Sequence, residues 1–261
     1  MLFLLSPAKT LDYDTPLPRG LRQRATEPVF VPRAAELIDR LRPLAPRQVA
    51  GLMDLSDELA ALNVARYGAW TPLHDHRNSR PAALAFDGAV YTGLDARSLG
   101  SADLAWAQSH LVILSGLYGA LRPLDRLQPY RLEMGTRLAN DRGRDLYAYW
   151  GDTVARHLNE RLEGDRHPVV VNLASQEYFQ VVDRQALAAR VVDCVFEDWK
   201  VDRYKLIGFF AKRARGAMAR WAILRRARSV KALREFDADG YALAPEASSV
   251  DRLVFRRRQA P

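Results

Sequence analysis

The chain contains almost no cysteine and no long apolar run. Cys194 is the single cysteine among 261 residues, which excludes an internal disulfide and fits a reducing compartment. The apolar residues from Val191 to Phe196 predict that this thiol is structural and buried in a strand. The apolar start, Met1 to Leu5, is followed at once by Pro7 and Lys9 and is too short for a signal peptide or a membrane span. We therefore expect a cytoplasmic protein with no membrane partner.

Acidic residues are also few relative to basic ones. Lys and Arg number 39 and Asp and Glu 31, so the net charge is +8 and the isoelectric point is near 9.8. Such an excess attracts anionic partners and is typical of nucleic-acid-binding proteins, although an arginine-rich genome produces the same total. Clustering favours the first interpretation, because nine Lys and Arg residues and no acidic residue lie between Arg203 and Arg228.

The segment after Phe210 predicts a helix with a basic outer face. Apolar residues such as Met218 recur at helical spacing and indicate a side packed on the core. Lys212, Arg213 and Arg215 fall at the start of this helix, where backbone N–H groups add to the positive charge. We expect these residues to bind phosphates; the alternative is a solvated face without a ligand.

Apolar runs alternate with helical patterns along the chain. The predicted strands are Met1 to Ser6, Ala82 to Phe86, Leu111 to Leu114, Pro168 to Val171, Val191 to Phe196 and Tyr204 to Phe210. The predicted helices are Ala34 to Leu41, Pro46 to Met53, one capped by Ser56, Asp103 to Gln108 and Leu146 to Leu162. The basic run 256–258 is predicted to be a frayed tail. This pattern predicts an α/β fold, a mixed sheet with surrounding helices, in a single compact domain over residues 1–261.

Polar residues follow several predicted strands, and the stretch from Leu111 to Gly135 is the richest example. Loops after the carboxyl ends of neighbouring strands converge on one edge of a sheet, so we expect one cleft there; a self-satisfied turn is the alternative. The candidate DNA- or phosphate-binding residues of the chain are Ser6, Lys9, Thr10, Ser56, Arg122, Arg131, Lys212, Arg213 and Arg215. Further candidate cleft residues are Tyr118, Tyr130, Asn172, Ser175 and Tyr178. Asp125, Glu133 and Glu177 are the candidate general acids or bases.

Residues 46–67 predict two short helices joined by a tight turn. This arrangement is similar to a helix-hairpin-helix, which presents the backbone N–H groups of its second helix to a DNA phosphate. The usual glycines of that hairpin are missing. A plain αα-hairpin is therefore the alternative.

No cofactor is predicted. His74-Asp75-His76 has no third ligand at a recognisable spacing, which favours a solvated loop over a metal site. His110, His157 and His167 are scattered and do not form a recognisable iron site.

Several ordered motifs resemble those of a known family. They are Ser6-Pro-Ala-Lys-Thr-Leu-Asp12, Val90-Tyr-Thr-Gly-Leu94, Leu114-Ser-Gly-Leu-Tyr-Gly119, Arg122-Pro-Leu-Asp125, Pro129-Tyr-Arg-Leu-Glu-Met-Gly135, Asn172-Leu-Ala-Ser175 with Glu177-Tyr178, and Ala211-Lys212 with Ala214-Arg-Gly216. Together they resemble the YaaA family of bacterial peroxide-stress proteins, nearly end to end. The resemblance implies a cytoplasmic protein that limits free iron and DNA damage during hydrogen peroxide stress. It also implies a positively charged cleft and a helix-hairpin-helix that bind double-stranded or distorted DNA.

Two functions remain open at this point. The first is a DNA-binding protein of the oxidative stress response, with double-stranded or distorted DNA as its partner and no identified protein partner. The second is an uncharacterised enzyme that acts on a nucleotide or nucleic acid at the cleft, because no established reaction accompanies the resemblance.

Overall fold

The computed structural model describes residues 1–258, with the side chain at position 22 excepted. Its strands are β1 (Leu2–Leu5), β2 (Thr10–Leu11), β3 (Arg80–Pro81), β4 (Phe86–Asp87), β5 (Leu111–Ser115), β6 (Gly119–Leu121), β7 (Arg126–Leu127), β8 (Val169–Asn172), β9 (Arg190–Lys200), β10 (Arg203–Lys205), β11 (Ala242–Leu243) and β12 (Arg252–Arg257). Its helices are α1 (Leu21–Arg24), α2 (Val31–Leu41), α3 (Pro46–Met53), α4 (Asp57–Ala69), α5 (Ala82–Ala85), α6 (Ala89–Leu94), α7 (Ser101–His110), α8 (Leu146–Trp150), α9 (Thr153–Arg161), α10 (Gln176–Phe179), α11 (Gly208–Arg225) and α12 (Val230–Leu233).

The main sheet confirms the predicted α/β fold. Its strand order is β11-β12-β9-β8-β1-β5-β6, and β10 also pairs with β9. Strands β12, β9, β8, β1 and β5 run parallel, whereas β6, β10 and β11 run antiparallel to their partners. All four residues of β1 are buried, as expected of a central strand that is covered on both faces.

The carboxyl ends of three parallel strands meet at one edge of this sheet. Leu4 of β1 pairs with Val112 of β5 on one side and with Asn172 of β8 on the other. The loops that follow these strands therefore start side by side. This register brings the polar residues after β1 and β8 together, as the sequence predicts.

Strand β9 extends well beyond its neighbour β8. The pairing of Asn172 with Asp193 is the last between the two strands, and β9 continues from Cys194 to Lys200. At about 3.3 Å per residue, this extension is roughly 23 Å long. Its last residues pair with β10 to form a hairpin over residues 198–205, which we call the basic hairpin. Cys194 is buried at the start of the extension, as predicted, and burial raises the pKa of its thiol.

Helices α6 and α11 cross at a pair of glycines. A Cβ atom on Gly216 would lie 1.8 Å from the carbonyl oxygen of Val90, and one on Gly93 would lie 2.1 Å from that of Arg213. Two backbones can approach this closely only where side chains are absent. The crossing therefore fixes the position of α11 relative to the loop that precedes α6.

Three predicted elements are wrong in type or extent. The predicted strand Tyr204 to Phe210 is instead β10 followed by the start of α11, because an apolar run alone does not distinguish a strand from a buried helix. Ala82 to Phe86 forms the one-turn helix α5 and enters a strand only at Phe86. The single helix predicted for Leu146 to Leu162 is divided between α8 and α9, since Gly151 adopts a φ of +49°.

The basic run near the carboxyl terminus also differs from the prediction. Arg256 and Arg257 belong to β12 rather than to a frayed tail. Arg256 forms ion pairs with Glu197 and Glu246, and Arg257 forms one with Asp198. These ion pairs neutralise both arginines.

Candidate functional site

A cleft of about 350 Å³ opens at the carboxyl edge of the sheet. We call it the edge cleft. Its lining combines the loops after β1 and β8, the residues before and at the start of α6, the stretch around Glu133, and the first half of α11. The lining residues are Ser6, Pro7, Ala8, Lys9, Thr10, Asp87, Gly88, Ala89, Val90, Glu133, Ser175, Glu177, Tyr178, Lys212 and Arg215. The structure thus brings together nine of the predicted site residues: Ser6, Lys9, Thr10, Glu133, Ser175, Glu177, Tyr178, Lys212 and Arg215.

Ser6 and Ser175 join the ends of β1 and β8. The backbone N–H of Ser175 donates to Ser6 Oγ at 2.8 Å, and the two hydroxyls are 3.3 Å apart. Ser175 also caps α10 by accepting a hydrogen bond from the backbone N–H of Tyr178. The Tyr91 hydroxyl donates to the carbonyl of Ser6 at 3.1 Å. These bonds hold one end of the cleft rigidly in place.

Glu133 lies between two cations. Lys9 Nζ is 2.8 Å from one carboxylate oxygen, and Arg131 Nη2 is 2.9 Å from the other. Burial raises the pKa of Glu133, but the hydrogen bonds from Lys9 and Arg131 outweigh it and leave the pKa below its ordinary value. The carboxylate is therefore ionised at neutral pH, which suits a base better than an acid.

Glu177 is the second carboxylate of the predicted set in the cleft. Its Oε1 accepts a hydrogen bond from the backbone N–H of Gly135 at 3.1 Å. Among residues 1–258, the other carboxylate oxygen has no hydrogen-bond partner. One acceptor of Glu177 is therefore available to a donor that enters the cleft.

Helix α11 contributes two cations to the cleft. The Lys212 side chain is exposed and forms no ion pair with any described residue. Arg215 is partly buried, its Nε is inaccessible to solvent, and its guanidinium has no partner within residues 1–258. Burial lowers the pKa of Arg215. Arg213, in contrast, pairs with Asp239 at 3.0 Å and does not line the cleft.

The cleft lining is balanced in charge. Its cations are Lys9, Lys212 and Arg215, and its carboxylates are Asp87, Glu133 and Glu177. Additional positive charge lies on the basic hairpin, where Lys200, Arg203 and Lys205 form no ion pair with a described residue.

Arg122 and Asp125 lie outside the edge cleft. Asp125 is buried, accepts a hydrogen bond from the Thr26 hydroxyl at 2.6 Å, and pairs with Arg122 Nη2 at 2.9 Å. The backbone N–H of Arg122 donates to the same carboxylate at 2.8 Å. Burial raises the pKa of Asp125, although these hydrogen bonds oppose the shift. The geometry supports a structural anchor between two distant segments.

Three other predicted cleft residues also bond within the fold. The Tyr118 hydroxyl accepts from Trp70 Nε1 at 2.8 Å and lies 3.1 Å from His74 Nε2. The Tyr130 hydroxyl lies 2.6 Å from Ser115 Oγ. Asn172 Nδ2 donates to Asp193 at 2.8 Å and so braces β8 against β9. None of the three lines the edge cleft.

Helices α3 and α4 form the predicted helical hairpin, joined by residues 54–56. Ser56 caps α4 by accepting a hydrogen bond from the backbone N–H of Leu59. Asp57 and Glu58 occupy the first turn of α4 and are exposed, so a phosphate would meet two negative charges there. The Tyr67 hydroxyl donates to the carbonyl of Arg131, which connects the hairpin to the Glu133 stretch. DNA binding by this hairpin stays a prediction.

The prediction missed Asp87 and Tyr91. Asp87 directly follows the apolar run Ala82 to Phe86, so the rule applied to the other strand ends would have found it. Tyr91 supports Ser6 through a contact between positions 85 residues apart, and no local pattern indicates it.

Neither a metal cluster nor a membrane span is seen in the described part of the chain. Among residues 1–258, no group of three His, Cys, Asp or Glu side chains is placed to hold a metal ion. No helix in that range combines the length and apolar composition needed to cross a membrane.

Comparison with known proteins confirms the resemblance seen in the motifs. The profile of the family described as peroxide stress protein YaaA matches residues 1–247. A UPF0246 protein of Leptothrix cholodnii is 68% identical over 260 residues, which cover 100% of both chains. UPF0246 proteins of Variovorax paradoxus and Paracidovorax citrulli are 63% and 61% identical, with 99% and 100% of each chain covered. The chain therefore belongs to the YaaA family of peroxide stress proteins.

Proposed function

We propose that this protein binds duplex or distorted DNA along the carboxyl edge of its sheet during peroxide stress. Family membership supports the stress-response setting. The net charge of +8 supports a polyanionic partner. In this proposal, bound protein shields the duplex and so limits iron-dependent oxidative damage.

The observation that carries the proposal is a row of cations without acidic partners. Lys200, Arg203 and Lys205 lie on the basic hairpin, and Lys212 follows in the second turn of α11. None of the four forms an ion pair with a residue in the range 1–258. Arg213, in contrast, is neutralised by its ion pair with Asp239. The unpaired row therefore offers the charge that a phosphate backbone binds.

Exposed apolar side chains are interleaved with these cations. Val201 is 85% exposed at the hairpin tip, Leu206 is 54% exposed, and Phe209 is 66% exposed at the start of α11. Proteins that bind distorted DNA insert apolar side chains between base steps, and aromatic rings stack on unpaired bases. This composition favours distorted DNA over plain duplex.

The test compares two triple variants of equal charge. Lys200→Ala, Arg203→Ala and Lys205→Ala remove the hairpin cations. The control removes three exposed cations away from the hairpin. Arg166→Ala and Arg228→Ala lie in the pocket beside Met1 and Val169 at the opposite, amino edge, and Lys231→Ala follows Arg228 by three residues. Binding of duplex and bubble DNA is measured across a salt series.

We expect the hairpin variant to lose at least tenfold in affinity. The slope of log affinity against log salt should fall by about 2.7 for three lost phosphate contacts, and the control should keep both values. Equal losses in the two variants would show that only net charge matters. Absence of DNA binding by the unaltered protein at low salt would refute the proposal.

A second candidate function is catalysis on a nucleotide or nucleic acid. It is favoured by the two predicted carboxylates, Glu133 and Glu177, which share the edge cleft with Lys212 and Arg215. Product analysis of the DNA-binding samples tests it, with Glu133→Gln and Glu177→Gln as variants. Turnover that survives both substitutions would exclude these carboxylates as acid or base.

A further inference from the structure

Arg215 is a cation whose partner is not supplied by the described residues. Its Nε is inaccessible to solvent, and its guanidinium forms neither a hydrogen bond nor an ion pair within residues 1–258. Desolvating a charge without pairing it is costly, so such a group is rarely placed for stability alone. An arginine at the wall of a cleft is completed by a carboxylate or a phosphate, which its planar fork binds through two hydrogen bonds.

Arg215 and Lys212 have no ion-pair partner among residues 1–258, so the two together match an anion with two negative charges, although Asp87, Glu133 and Glu177 balance the charge of the lining as a whole. Lys212 lies three residues earlier on α11, so both side chains are on the same face of the helix. Lys9 and the exposed Thr10 line the same cleft, although Lys9 is shared with Glu133. A phosphate monoester carries nearly two negative charges at neutral pH, whereas each phosphate within a nucleic-acid strand carries one.

The size of the cleft indicates which ligand can fit, a single nucleotide or a duplex. Its volume of about 350 Å³ is at the lower end of small-ligand pockets. A duplex, whose major groove alone is about 12 Å wide, cannot enter such a space. The partly buried Arg215 on the wall of the cleft is within reach of a terminal or free phosphate.

The remaining lining suits a nucleoside. Glu177 has one carboxylate oxygen without a partner in the described chain, and a carboxylate is a usual acceptor for a sugar hydroxyl. Pro7, Ala8 and Val90 add apolar surface. Simple inorganic phosphate would leave both features unused.

We propose that the edge cleft binds a nucleoside monophosphate, either free or as the phosphorylated end of a strand. Arg215 and Lys212 hold the phosphate, and Glu177 accepts a hydrogen bond from the sugar. The inference rests on the proposed function for the class of ligand. It adds a pocket separate from the basic hairpin, which shares only Lys212 with the row of cations proposed to bind the duplex.

The experiment is calorimetric titration with AMP, with adenosine and inorganic phosphate as comparators. Arg213→Met is the matched control for Arg215→Met, because Arg213 is two residues away, equally charged, and outside the cleft. We expect AMP to bind, adenosine to bind at least tenfold more weakly, and Arg215→Met to lose at least tenfold in AMP affinity. Arg213→Met should keep the affinity. No binding of AMP, or equal losses in the two variants, would overturn the proposal.

Stability provides an independent readout. Removing an unpaired, partly buried cation should raise the melting temperature of Arg215→Met by roughly 2–4 °C, since functional residues are often kept at a cost in stability. If Arg215→Met fails to fold, the exposed Lys212→Met replaces it and should weaken AMP binding at least threefold. An unchanged AMP affinity in a folded Lys212→Met would then refute the proposal.

Competition against bound AMP separates the two sources of the phosphate. A short single strand with a 5′-phosphate should compete only if strand ends are bound, and a failure to compete assigns the site to free nucleotides. Equal competition by a strand with a 5′-hydroxyl would overturn the requirement for a monoester.

The triple hairpin variant Lys200→Ala, Arg203→Ala and Lys205→Ala should still bind AMP. AMP binding without any DNA binding would refute the proposed function alone, and the reverse result would refute only this inference.

Discussion

Lys9 and Glu133 form an ion pair of 2.8 Å between the loop after β1 and the stretch that follows β7. Arg131 binds the opposite oxygen of the same carboxylate. The three side chains therefore set the position of one wall of the edge cleft relative to the central strand.

The lowered pKa of Glu133 makes this contribution dependent on pH. A carboxylate with a depressed pKa stabilises the fold above its unfolded pKa, near 4.3, and the stabilisation is lost as the pH falls below that value. We expect Glu133→Gln to be less stable than the unaltered protein by about 1–2 kcal/mol at pH 7. The difference should shrink towards zero near pH 3.

Urea unfolding at both pH values measures this difference. Glu163→Gln is the control, because Glu163 is exposed and forms no ion pair with a described residue. A deficit in Glu133→Gln that is equal at both pH values would show that the carboxylate is not stabilised by Lys9 and Arg131.

Because α6 and α11 cross so closely at Gly216, we expect even the methyl side chain of alanine at this position to destabilise the fold. Gly216→Ala would bring a Cβ to 1.8 Å from the carbonyl oxygen of Val90, so the helices must separate. We expect a loss of at least about 3 kcal/mol in the free energy of unfolding. Gly51→Ala is the matched control in α3, where no atom lies within 4 Å of the new Cβ. Urea unfolding should show this control unchanged or up to about 1 kcal/mol more stable. A well-folded Gly216→Ala of full stability would contradict the close approach.

The buried Asp125 should matter for stability and not for ligands. Asp125→Ala removes the partner of Arg122 and the acceptor of the Thr26 hydroxyl. We expect a loss of about 2–4 kcal/mol, while AMP and DNA affinities of the folded protein stay within twofold. Asp141→Ala, which breaks the exposed ion pair with Arg40, should cost less than about 1 kcal/mol in the same unfolding assay. If Asp125→Ala kept its stability but lost AMP or DNA affinity, Asp125 would belong to the ligand-binding site.

The edge cleft was predictable where it depends on strand ends. Ser6 and Ser175 follow apolar strands, and parallel strands bring their carboxyl ends together whatever the intervening sequence. The separate location of Asp125 was not predictable. Its orientation depends on Thr26, a partner 99 positions away, and such pairing leaves no local pattern.

Some of the predicted boundaries of helices and strands were wrong for local reasons. The apolar residues from Tyr204 to Phe210 fit a strand as well as a helix, and Gly208 gives no strong signal for the beginning of α11. In Leu146 to Leu162, the helical spacing continues across Gly151, and only the positive φ of that glycine reveals the break.

The extension of β9 has a consequence for how the two proposed ligands affect one another. Only Leu206 and Ile207 separate the basic hairpin from α11, which carries Lys212 and Arg215. If a bound strand shifts the hairpin, only these two residues lie between the shift and the helix whose cations line the edge cleft. Binding at the two places is then thermodynamically linked, and each ligand must change the affinity for the other by the same factor. The extended strand and its helix thus connect the surface proposed for DNA with the pocket proposed for a nucleotide.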